Sequence, residues 1–147
     1  MLSKSCEYGI RAVIYLSSLQ QKGRKAGVAK VAEEIGSPGA FTAKVLQRLV
    51  HSGVLKSSKG PRGGFYLAKS AEETFILDIV LAMDGPGILH NCILGFDKCS
   101  NTAPCPLHDQ FIGVRDQLTT VLKTTTISEV VESYSKGDTI LQLIQEK

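Results

Sequence analysis

Along residues 3–20, apolar side chains fall on two overlapping helical stripes, Ile10, Val13 and Ile14 on one and Ala12, Tyr15, Leu16 and Leu19 on the other. Together they cover most of a helix circumference, which predicts a helix buried on nearly all sides, between subunits. Gln21 to Gly27 reads as a basic polar loop. Val28, Val31, Ala32 and Ile35 then keep the spacing of a short amphipathic helix that stops at Gly36. After the turn Gly36-Ser37-Pro38-Gly39, a helix over Ala40 to His51 directs Phe41, Val45, Leu46, Leu49 and Val50 inward. Thr42, Lys44, Gln47, Arg48 and His51 fall on its other side. Helix, tight turn, and a second helix with a hydrogen-bonding face make the helix-turn-helix plan.

The pattern next changes from helical to strand-like. Val54 to Ser58 and Phe65 to Ala68 read as two short strands joined by a glycine-rich tip from Lys59 to Gly64, a wing. Thr74 is placed to cap a helix carrying Ile76, Ile79, Val80 and Met83 that ends at Asp84-Gly85. About twenty irregular residues follow before Pro106, the predicted first residue of a long helix. In that helix Leu107, Phe111, Val114, Leu118 and Val121 alternate steps of four and three, the seam of a coiled coil whose simplest partner is its own copy. Thr126 and Glu129 resemble a capping box opening a short helix through Val130 and Val131. The predicted fold is mainly α: a winged helix-turn-helix DNA-binding domain with a small β-hairpin wing over residues 1–84, a loop over 85–105, a dimerisation helix and short helix over 106–135, and a loosely held tail over 136–147.

A length of 147 residues and an apolar fraction of 43% suit one globular domain with an appendage. No apolar run approaches a bilayer span, and MLSKSCEYGIRAVIYL lacks a secretory cleavage site, so the expected location is cytoplasmic with no membrane partner. Charge adds more. The net +3 conceals a front half, residues 1–70, with twelve Lys and Arg against three Glu, and a back half with five basic and eleven acidic groups. A basic front half is the footprint expected where phosphates are contacted. Arg48 and Lys44 can bond guanine edges or phosphates, Gln47 can pair with adenine, and Thr42 can reach base or backbone. At the wing, Lys59 and Arg62 flank a glycine-rich backbone including Gly63 that can approach phosphates closely. The absence of tryptophan favours double-stranded DNA over single-strand stacking platforms.

The candidate chemistry lies in the irregular stretch. Cys92, Cys99, Cys105 and His108 are separated by six, five and two residues, and Pro104 and Pro106 keep the backbone around Cys105 out of a helix. In a reducing compartment such cysteines are ligands or redox centres sooner than disulfides. Thiolates with one imidazole suit an iron-sulfur cluster and zinc alike; the wide intervals favour the larger centre over a zinc knuckle. Zinc or a thiol switch is the alternative, and an electron carrier would leave the wing unexplained. No catalytic triad, phosphate loop or paired-carboxylate site is present in the sequence, so enzymatic activity is not expected.

CEYGIRAVIYL, VAEEIGSP, LVHSGVLKSSKGPRGGFYLAKS, ILDIVLAMDG and the three cysteines ending in CPLH occur in that order. From about Leu2 to Val131 the chain thereby resembles the Rrf-two family of winged-helix regulators, the IscR and NsrR type. The resemblance implies a homodimeric regulator, a repressor among others, that binds a palindromic operator and carries an iron-sulfur cluster, 2Fe-2S or 4Fe-4S, responsive to nitric oxide, redox or iron status. It carries three cluster cysteines onto Cys92, Cys99 and Cys105, with a first interval one residue longer than the common five. The fourth ligand falls on His108 or, in other members, on a carboxylate of the partner's first helix at the place of Glu7. Cys6 is a third candidate, and helix geometry keeps adjacent Cys6 and Glu7 from serving one site together.

Overall fold

The computed structural model describes residues 2–141. Helix α1 (Lys4–Gln20) opens at Ser3, whose hydroxyl accepts from the Cys6 amide at 3.0 Å. Every residue from Ala12 to Leu19 is buried, more than two full turns. The cover comes from the same chain: α1 packs against α2 (Val28–Ile35), α3 (Gly39–His51), α4 (Ile76–Asp84), α7 (Ile127–Ser135) and the strand β2 (Gly64–Leu67). This corrects the placement of α1 between subunits, since hydrophobic periodicity reports how much of a helix is covered and not by which chain. Each fully buried Leu or Val on this axis contributes about 1.5–3 kcal/mol. At Gly9 a Cβ would stand 3.3 Å from the Met83 side chain, so a larger residue would press on α4.

The left-handed backbone of Gly36, φ 69°, closes α2 and sets the turn into α3. Tyr8 of α1 meets Phe41 of α3 edge-on with centroids 5.7 Å apart. The wing pairs β1 (Leu55–Ser58) with β2 antiparallel, Leu55 opposite Leu67 and Ser58 opposite Gly64. Ala26, before α2, adds an isolated bridge to Phe65, whose amide donates to the Ala26 carbonyl at 2.9 Å. The wing is therefore braced by the α1–α2 connection.

Thr74 does not cap α4. Its buried hydroxyl donates to the Ser70 carbonyl at 2.8 Å, and Asp78 instead accepts from the Phe75 amide at 2.8 Å. A single helical turn, α5 (Gly87–His90), interrupts the stretch read as irregular, and the long helix α6 (His108–Thr124) starts two residues after Pro106. The capping box of α7 forms as anticipated, Thr126 accepting from the Glu129 amide and Glu129 from the Thr126 amide. Ile127 and Val131 of α7 are fully buried in the core around α1. The Tyr134 hydroxyl donates to Glu34 of α2 at 3.0 Å.

Two readings of the back half change. On α6, Phe111, Val114 and Val121 are exposed and Leu107 precedes them at the surface, while Leu118 turns inward against the core. The tail is not loose throughout, because Leu141 is buried in that core; residues 142–147 of the predicted tail lie outside the described residues.

Gly64 adopts φ 139°, and a Cβ there would lie 2.6 Å from the Ala26 carbonyl oxygen. Gly23 also has positive φ, 68°, but open space around it. Gly64→Ala should lower unfolding stability by about 1–3 kcal/mol more than Gly23→Ala, because it adds a backbone clash to the shared dihedral strain. Urea denaturation of the two variants measures the difference.

Candidate functional site

Helix α3 and the wing present the basic face. Lys44, Gln47 and Arg48 are exposed on α3, and Lys59 and Arg62 are exposed at the wing tip. Thr42 is a correction. It shares the inward stripe with Val45, Leu46 and Leu49, is 0% exposed, and donates its hydroxyl to the Pro38 carbonyl at 2.9 Å. It therefore shapes the turn and cannot touch a base from there. Gly63 closes the tip by donating its amide to the Gly60 carbonyl at 2.9 Å, and a Cβ there would collide with the Ser58 and Lys59 backbone. Lys25 was missed from the sequence: its ammonium lies 4.5 Å from the centre of the Tyr66 ring and donates to Ser58 at 3.1 Å. It adds positive charge directly to the wing. The excess of basic residues in the front half was the signal, but nothing in the spacing shows the fold back onto β2.

The cysteine stretch runs from α5 to the start of α6. Cys92, Cys99, Cys105 and His108 all border one cavity of about 450 Å³, together with Asp84 and Arg115. This is far more than the roughly 10–15 Å³ a single water needs. The donors fall into two contacting pairs. The Cys99 sulfur lies 3.2 Å from Nδ1 of His108, and the thiols of Cys92 and Cys105 are near enough to shift each other's acidity. His108 is buried and its Nε2 lies 2.8 Å from Oδ1 of Asn101. Among the described residues no three His, Cys, Asp or Glu side chains close on one point fit for a single ion. The donors stand around a space, and three soft sulfurs with one imidazole fit an iron-sulfur cluster chemically.

The thiols differ in acidity. The Leu94 amide, hydrogen-bonded to the Cys92 sulfur, holds that thiol below its ordinary pKa, with Cys105, the Phe96 amide and Arg115 adding in the same direction against burial. Burial pushes the Cys105 thiol up, its contact with Cys92 adds to this, and the Leu107 amide opposes it. Cys6 is 0% exposed, does not border the cavity, and has its thiol pushed up to about 12 by burial and by Asp84 and Glu7. Glu7 pairs with Lys4 at 3.0 Å and does not border the cavity of its own chain. Asn101 and Arg115 were not anticipated as site residues; an amide between two cysteines carries no sequence signal for what its oxygen will accept.

The profile of the Rrf2 family, described as iron-dependent transcriptional regulator, matches residues 2–133. A protein of Aquifex aeolicus (strain VF5) named as an HTH-type transcriptional regulator is 33% identical over 138 residues, 92% of this chain and 94% of its own. Among solved structures, CymR (YrzC), the global cysteine regulator of B. subtilis, superposes with a TM-score of 0.76 at 19% identity over 90% of this chain and 96% of its own. IscR of T. potens does so at 0.71 and 21% over 99% and 93%. Both likenesses are of fold, a mostly helical winged helix with a two-stranded hairpin.

In metal-free protein the alkylation rate of Cys92 should reach half its plateau at a lower pH than that of Cys105, since only the thiolate reacts. Cys6 should stay unmodified until the protein unfolds. Peptide mass spectrometry after timed iodoacetamide labelling across pH reads all three.

Proposed function

Because this chain belongs to the Rrf2 family of transcriptional regulators, we propose that it is a dimeric operator-binding protein whose DNA affinity is set by an iron-sulfur cluster held by Cys92, Cys99, Cys105 and His108. The observation that carries this reading is the convergence of those four donors, from a sequence span of seventeen residues, on one cavity at the start of α6. Cys99 with His108, and Cys92 with Cys105, would hold the cluster from the rim of that cavity. When bound, the cluster supplies a soft, redox-active centre that nitric oxide, oxidants or iron shortage can remove.

The chain's own residues supply the coupling. The winged unit, residues 1–84, is joined through the loop over 85–105 to α6, so ordering the loop constrains how α4 and α6 sit. A ligand shifts DNA affinity only by its differential interaction with the two arrangements. On the DNA side Lys44, Gln47, Arg48, Lys59, Arg62 and the backbone at Gly63 face the duplex, and a palindromic operator presents two such half-sites to a two-fold dimer. The dimer seam lies along Leu107, Phe111, Val114 and Val121, with Leu118 supporting it from the inner side. No described helix is long and apolar enough to cross a membrane.

The paired thiols of Cys92 and Cys105 favour a second reading, a thiol switch. Two thiols would lose two protons and two electrons to an oxidant and form one disulfide.

Protein purified without oxygen should carry iron and sulfide, show visible absorption bands, and bind operator DNA with an affinity that changes when the cluster is removed at fixed salt. Equal binding by both forms would refute cluster control. Colourless protein with stoichiometric zinc would assign the donors to zinc, and metal-free protein that gains a Cys92–Cys105 disulfide on oxidation would favour the switch.

Val114 is 55% exposed on α6, so Val114→Glu leaves the core intact. It should convert the dimer to monomer in sedimentation and weaken operator binding by ~10²-fold or more through lost bivalency. A dimer that survives the substitution would exclude this face as the seam.

A further inference from the structure

We propose that Asn101 is a positioning residue that makes Nδ1 of His108 the nitrogen offered to the cavity, an inference that rests on reading the loop as a cluster site. Both ring nitrogens of the buried imidazole are engaged, Nε2 with Oδ1 of Asn101 at 2.8 Å and Nδ1 with the Cys99 sulfur at 3.2 Å. An amide oxygen can only accept, so Nε2 carries a hydrogen and donates it. Nδ1 is then the nitrogen left to face the cavity, beside the Cys99 thiol. One proton is shared between Nδ1 and the Cys99 sulfur, whichever atom holds it. Nδ1 and the Cys99 sulfur would hold a metal only once that proton had left to solvent, as ligand deprotonation on metal binding requires.

The turn that carries Asn101 is held by its neighbours. Ser100 accepts from the amides of Thr102 at 3.2 Å and Ala103 at 3.3 Å, which fixes the backbone on either side of the amide. Asn101 follows Cys99 by two residues, so one short turn delivers a ligand and the group that orients the neighbouring ligand. Metal-bound histidines commonly hold their other N–H on a carbonyl or carboxylate, and that contact fixes ring orientation and tautomer. Here the acceptor is a neutral amide, which stabilises the tautomer without adding charge to the site.

The test uses full-length protein with ¹⁵N-labelled histidine. In metal-free wild type, nitrogen–proton correlation spectra should show His108 with its hydrogen on Nε2. Asn101→Ala, on an exposed turn, should give a mixture of tautomers, and Asn101→Asp should restore the Nε2–H form. After anaerobic loading, Asn101→Ala should hold the cluster about 10–100-fold more weakly, while Asn101→Asp should retain it with a reduction potential shifted negative. A wild-type Nδ1–H tautomer overturns the proposal, as does an Asn101→Ala variant with unchanged tautomer and unchanged cluster retention. Wild type that shows the Nε2–H form yet assembles no iron and sulfide overturns the cluster reading, and the ligand role with it, while leaving the tautomer assignment in the metal-free loop.

Discussion

Helix α1 has no free side from Ala12 to Leu19, and the rest of the chain is arranged to meet that demand. Ala12 to Leu19 are buried in succession, a surface no single neighbour can cover, so α2, α3, α4, α7 and β2 each take a sector. The consequence reaches both functional faces. Covering α1 with α2 and α3 sets the helix-turn-helix, and covering it with α4 brings Asp84 and the end of that helix to the rim of the sulfur-lined cavity. Ser3, at the start of α1, donates both its amide and its hydroxyl to Asp84, which pins the head of the central helix to the same rim.

Most of the elements were legible because their signals are local. Apolar spacing gave α2, α3, α4 and α6, the strand alternation around a glycine-rich tip gave the wing, and Thr126 with Glu129 gave the start of α7. What failed was the identity of the partner. The apolar faces of α1 read as a subunit interface, yet the chain's own core receives them, and Leu118 is half-buried against that core. Thr42 failed for a related reason: a small hydroxyl is compatible with either face of α3, and its three-dimensional neighbours Val45, Leu46 and the Pro38 carbonyl decide the matter.

The candidate site was legible in its atoms and not in its arrangement. Three cysteines and a histidine at these intervals announce soft-donor chemistry, but spacing cannot say that they divide into two pairs, or that the thiols at 92 and 105 are shifted in opposite directions. Those shifts arise from backbone amides and burial, which no residue pattern encodes. The fold is shared with CymR and IscR. A shared fold does not fix function, which lives in the site that the fold carries.

Tyr134 and Glu34 meet across a hundred residues of chain, and α7 as a whole seals a helix that was synthesised first. As the polypeptide leaves the ribosome, the recognition helix and the wing emerge long before the segment that closes the core beneath them. The reading head therefore precedes in the chain a helix that covers part of its own core. Removing α7 would uncover the flank of α1 that it packs against, so the reading head and this distant helix stand or fall as one core.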